Sequence, residues 1–146
     1  KVAIPNYDGK AKAANQGLID GWVEAHPGEA FPVWGDFTGV ASVRHGPKKP
    51  IKMVKVGEHA ATKRLPDGFT TGNTELYNNY YVVDGVTPLV EGQQGNAKAI
   101  IMWVVPQGKS KVMGLSTGHD VSDWKAKPFQ HLVIDGVNYL IANPKP

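Results

Sequence analysis

The sequence predicts a mostly β protein: a sandwich or barrel of about seven to nine strands, preceded by one short N-terminal helix and an extended aromatic arm. Three observations carry that expectation. Short runs rich in Val, Ile and Tyr recur from residue 40 to residue 141, each bounded by Gly, Pro, Asn or Asp. Gly (17) and Pro (11) in 146 residues exceed ordinary usage and call for many turns. Hydrophobic residues make up 41% of the chain and charged residues 20%, enough apolar material for a core and too little charge for a disordered polymer. The length suits a single domain, residues 1–146, with helix and arm in 1–38 and the β core in 39–146.

The helix rests on Ala11, Ala14, Leu18, Trp22 and Ala25, which recur at spacings of three and four behind a candidate cap, Asp8. His26 and Pro27 end it. Gly17 and Gly21 weaken it by roughly 1 kcal/mol each relative to Ala, so a hairpin around Asp20-Gly21 competes. In the arm, Phe31-Pro32-Val33-Trp34-Gly35-Asp36-Phe37, the prolines oppose a helix and favour an extended course. Phe31, Trp34 and Phe37 are expected to lie across the domain's own core, with contacts to a neighbouring subunit or a ligand as the alternative.

Strands are expected at 40–45, 51–56, 76–83, 98–105, 111–116, 132–134 and 137–141. The run 99–105 is wholly apolar, so its strand is expected to be central and covered on both faces, with Trp103 in the core. Asp-Gly pairs at 20–21, 84–85 and 135–136 read as separate hairpin turns, because their uneven spacing gives no repeat.

The absence of cysteine excludes disulfides, thiolate nucleophiles, Cys-ligated zinc and iron–sulfur clusters. The seven-residue run 99–105 falls far short of the ~20 residues of a membrane span, so none is expected. No basic-plus-apolar leader opens the chain, which begins on Lys1, so a signal peptide is read as absent or removed, and an extracellular or virion setting is favoured over the cytoplasm.

The net charge of +3 is uneven, for residues 44–64 alone carry +6 through Arg44, Lys48, Lys49, Lys52, Lys55, Lys63 and Arg64 against Glu58. Such a segment can meet an acidic neighbouring subunit or an anionic polymer, with Lys48, Lys49, Lys52 and Lys55 expected on one exposed surface. The plainer reading is a solvated hairpin whose lysines guard a strand edge. The segment holds no aromatic, so nucleic acid would be met through phosphates alone.

His26, His45, His59, His119 and His131 show no metal-ligand spacing, and no metal or cofactor is expected. P-loop and dinucleotide-binding glycine patterns are missing, Pro106-Gln107-Gly108-Lys109-Ser110 included. Gly114, Ser116 and Gly118 match the hydrolase elbow in letters, but no amphipathic helix is expected behind them. The most site-like string is 116–124, with Ser116, Thr117, His119, Asp120 and Asp123 around Gly118. Alternation separates His119 from Asp120, so the string reads as a turn capped by Asp120 or Asp123. The leading expectation is therefore a non-enzymatic structural subunit of a multi-copy assembly (virion surface, decoration or appendage), partnered by itself or another subunit. The alternatives are a secreted binding module for an anionic polymer, and a small enzyme centred on His119 with a distant acid such as Asp36 or Glu58.

Overall fold

The computed structural model describes residues 17–18, 20–29, 34–42 and 44–145. It forms two compact units, Lys1–Trp34 and Gly35–Pro146. In the first, residues 20–25 are helical (α1), as the apolar spacing predicts and against the competing hairpin at Asp20-Gly21. The helix stops ahead of Pro27, where the His26 ring stacks on Trp22 with centroids 4.2 Å apart. Asp8, Ala11, Ala14 and Phe31 lie outside the described residues.

Within the expected extended arm, the described residues from Trp34 onward are corrected to a single helical turn, α2 (Trp34–Thr38), closed by the Gly39 N–H donating to Gly35 O at 2.8 Å. A proline restrains its own φ and the residue before it, so Pro32 leaves Trp34 onward free to coil. Trp34 and Phe37 are 74% and 57% exposed, so neither is buried as a core side chain. The buried residues of the turn are Gly35, against the Tyr81 ring, and Gly39, whose φ of +86° suits glycine.

The described chain is mostly β, with six strands in two open antiparallel sheets and few helices. One sheet pairs β1 (Val40–Ala41) with β3 (Tyr81–Val82). The other runs β2 (Lys52–Lys55), β4 (Thr87–Gln94), β5 (Ala97–Gln107), β6 (Ser110–Leu115) in spatial order. Two-residue turns with positive-φ glycines, Gly95 (+59°) and Gly108 (+56°), join β4 to β5 and β5 to β6. Strand β4 is not among the predicted strands, because Pro88 and Gly92 break its pattern. Pro88 lies at a register shift, and Gly92 is required because a Cβ there would stand within 3.0 Å of Ile101, Leu76 and Ile51.

Strand β5 is central and buried from Ile101 through Val105, as the apolar run predicts. Successive side chains go to opposite faces: Met102 meets the backbone at Gly136, while Ile101 faces Gly92, near Leu76 and Ile51. Trp103 is buried and donates from Nε1 to Thr38 O at 2.6 Å.

The strands expected at 132–134 and 137–141, with a hairpin at Asp135-Gly136, are instead one helix, α4 (Lys127–Ala142). Phe129, Leu132, Val133, Gly136 and Tyr139 fall on one face at helical spacing and join or adjoin the core. Pro128 suits a first helical turn. Neither half of the Asp-Gly pair makes a turn: Asp135 is gripped by Arg64, and Gly136 lets Met113 and Met102 approach the helix backbone. A 3-10 turn, η1 (Ala60–Thr62), packs beside α4, with the His59 ring edge-on to Tyr139 at 4.5 Å.

Between the sheets, residues 39–42 and 44–53 pair with 69–83 as an irregular antiparallel ribbon. Its main-chain bonds include Met53 N to Phe69 O, Lys49 N to Thr74 O, Gly46 N to Leu76 O, and Asn78 N to Arg44 O. Side chains replace some rungs: Thr71 Oγ1 accepts from Ile51 N, and Asn78 Oδ1 from Arg44 N. The strands predicted at 40–45 and 76–83 are thus paired, yet regular for two residues each. Asn79 ties the ribbon to β5, its amide bonded to both backbone groups of Ile100.

Candidate functional site: a carboxylate between two imidazoles

The ribbon sets His45 opposite Tyr77. In extended chain Glu75 and Tyr77 share a face, so three polar side chains meet on one side of the pairing. The fourth comes from the loop after β6, where His119 follows Gly118. Tyr77 Oη donates to Glu75 Oε2 at 3.1 Å, His119 Nδ1 lies 3.0 Å from Tyr77 Oη and 3.4 Å from Glu75 Oε2, and His45 Nδ1 lies 3.7 Å from Glu75 Oε1. Glu75 is 9% exposed, whereas both imidazoles are open to solvent.

These contacts fix which atoms are used. The Tyr77 phenol is held above its ordinary pKa, by burial first and then by its hydrogen bond to Glu75, so it remains a donor to the carboxylate. The nitrogen facing Tyr77 Oη and Glu75 is then the one that donates, and a neutral His119 carries its proton on Nδ1 and offers the Nε2 lone pair outward. His45 follows the same logic, since its Nδ1 stands 2.8 Å from Gly46 O. His45 also lines a cleft of about 250 Å³ bordered by Arg44, Leu76, Asn78, Gln94 and Lys98. Among the described residues, no group of three or more His, Asp and Glu is arranged to hold a metal ion. His59 is structural: its Nδ1 accepts from Ala61 N at 3.1 Å, and burial pushes its pKa down.

The loop carrying His119 is built as the sequence predicts. Asp120 caps a short helix, α3 (Val121–Lys125), accepting from Ser122 N at 2.9 Å, and Asp123 accepts from Gly118 N at 3.2 Å. Helices do follow Ser116, contrary to expectation, but α3 begins five residues later and Ser116 Oγ is buried, which is not an elbow's exposed nucleophile. The acids proposed for His119 are elsewhere engaged, Asp36 by Tyr81 Oη at 2.7 Å and Glu58 by Lys55 at 3.6 Å. The acid beside His119 is Glu75. The Glu75-x-Tyr77 alternation was legible in the sequence, but the register that brings His45 opposite was not.

The seven candidate cations do not form one field. Lys55, only 16% exposed along its side chain, sits between Asp67 at 3.2 Å and Glu58. This corrects the expectation of one exposed surface formed by Lys48, Lys49, Lys52 and Lys55. Lys48 lies 3.6 Å from Asp120, and Arg64 is bidentate to Asp135. Arg44, Lys49, Lys52 and Lys63 are exposed and, among the described residues, make no ion pair. No helix among the described residues is long and apolar enough to cross a membrane. No family model matches the sequence, and no curated protein matches it.

Proposed function

We propose that the chain is a small enzyme whose acid–base centre is His119 backed by Glu75, with Tyr77 and His45 completing the cluster. The observation that carries this reading is the buried Glu75 carboxylate, with a phenol and two imidazole Nδ1 atoms within 3.7 Å. A carboxylate behind an imidazole orients the ring and stabilises the imidazolium formed when Nε2 takes a proton. His119 Nε2 then accepts the proton of a water or substrate hydroxyl as its oxygen attacks, and returns it to the leaving group. The neighbouring cleft presents Arg44 and His45 on a lining that is otherwise largely apolar, while Lys98 at its rim is paired with Glu91 at 3.6 Å, which favours a small, mainly apolar molecule bearing an anionic group.

The test is a panel of chromogenic carboxylic esters, phosphate monoesters and glycosides, each with and without an anionic substituent. The expected result is turnover of one class that falls roughly 10²-fold or more in His119→Gln and in Glu75→Gln, and not in His131→Gln. Equal rates for wild type and His119→Gln across the panel would refute the reading.

A second reading, a structural subunit of a multi-copy assembly in an extracellular or virion setting, is favoured by one observation. Ile134, Val137 and Ile141 are exposed at spacings of three and four along α4, an apolar stripe suited to a second copy. Sedimentation at micromolar protein tests it: a monomer at every concentration removes it.

A further inference from the structure

We infer that Asp123 is the positioning residue of this site: one buried carboxylate that fixes both the segment carrying Glu75 and the loop carrying His119. The inference rests on the acid–base reading above. Asp123 is 1% exposed, and its Oδ2 accepts from Thr74 Oγ1 at 2.8 Å and from Gly118 N at 3.2 Å. Thr74 immediately precedes Glu75, and Gly118 immediately precedes His119. A single oxygen atom therefore clamps together two segments 44 residues apart in the chain, one residue from each of the groups that must meet.

The other side of the Gly118 peptide is held as well, for Trp124 Nε1 donates to Gly118 O at 2.7 Å. Gly118 has φ +100°, and a Cβ there would stand 2.8 Å from Phe129 Cζ, so the loop has little freedom to present His119 differently.

The clamp uses one oxygen of Asp123. Its second oxygen, Oδ1, is buried without a hydrogen-bond partner among the described residues, as are Ser116 Oγ and Thr117 Oγ1 on the same loop. What an apolar side chain cannot do is hold the Thr74 hydroxyl and the Gly118 amide at one point.

The test reads the tautomer of His119 by side-chain ¹⁵N NMR of the full chain at a pH where the ring is neutral. Wild type should show Nδ1–H. Thr74→Val, which removes the hydroxyl and keeps the shape, and Asp123→Asn, which removes the charge, should each turn that single signature into a mixture of tautomers. Thr74→Ser should restore it. His59, whose Nδ1 accepts from Ala61 N, should remain Nε2–H throughout and separates local misplacement from general loosening. If wild-type His119 carries its proton on Nε2, the acid–base geometry itself is wrong. If wild type is Nδ1–H and the folded Thr74→Val variant keeps that signature, or if His59 changes in parallel, the positioning role of Asp123 is overturned.

Discussion

Strands β5 and β6 pair Trp103 with Gly114, and the indole lies flat where a side chain on Gly114 would stand. A Cβ at position 114 would come within 2.1 Å of Trp103 Cε2 and Cζ2, against the ~3.5–4.0 Å at which carbon atoms rest. The ring cannot simply slide away, because it is buried and its Nε1 is bonded to Thr38 O. Gly114→Ala therefore incurs an overpacking penalty of about 1–3 kcal/mol and puts at risk a hydrogen bond of about 1 kcal/mol. Opposing these, replacing glycine inside a strand recovers about 0.5–1 kcal/mol. The net expectation is destabilisation by about 2 kcal/mol. In a Trp103→Leu background, itself expected to cost up to about 3 kcal/mol, the obstruction is gone and Gly114→Ala becomes neutral or slightly stabilising. Urea unfolding followed by far-ultraviolet circular dichroism on the four members of this cycle measures the coupling, expected at about 2–3 kcal/mol. A Gly114→Ala cost that is the same in both backgrounds would show that the indole does not occupy this space.

Arg64 holds the Asp135 carboxyl below its ordinary value of 3.8, chiefly through the hydrogen bonds it donates. The unfolded chain therefore takes up this proton first as pH falls, and the stabilisation is present above pH 3.8 and lost on further acidification. Asp135→Asn should cost about 2 kcal/mol near neutrality, less than a fully buried pair because the Arg64 end reaches water, and should flatten the acid limb of the stability profile. Ultraviolet titration should find the Tyr77 phenol ionising above the ordinary tyrosine value of 10.0, and Glu75→Gln should bring it down by removing the carboxylate that holds the phenolic proton. Asp120→Ala should lower the melting temperature through loss of the α3 cap, a change that unaltered thermal unfolding would exclude. Replacing Lys48, Lys49 and Lys52 with Gln should leave the melting temperature unchanged, while adding Lys55→Gln should lower it, because only Lys55 is enclosed between two carboxylates.

Local chemistry was legible where it acts locally. The apolar run 99–105 announces a strand covered on both faces, and Asp120 and Asp123 announce a capped turn after β6, because burial on both faces and self-capping leave their mark on neighbouring residues. The same local logic misassigned Asp135-Gly136, whose partners Arg64, Met102 and Met113 lie far off in sequence. Without them, an Asp-Gly pair between apolar runs reads as a hairpin, and with them it is the point where α4 lies close on the sheet. Strand β4 was hidden for a similar reason, since Gly92 weakens a strand alone but is demanded by three side chains arriving from elsewhere.

The sequence by itself determined the β-rich class, the central strand with Trp103 in the core, the turn chemistry around His119 and the absence of cysteine chemistry. Only the tertiary structure decided that Lys55, Arg64 and Lys48 are held by acids, and that His45, Glu75, Tyr77 and His119 form one cluster. A carboxylate and an imidazole 44 residues apart carry no mutual signal along the chain. Their meeting depends on the register of the ribbon and on the reach of one buried aspartate, and both are settled by long-range packing and hydrogen bonding rather than by the preferences of any single segment.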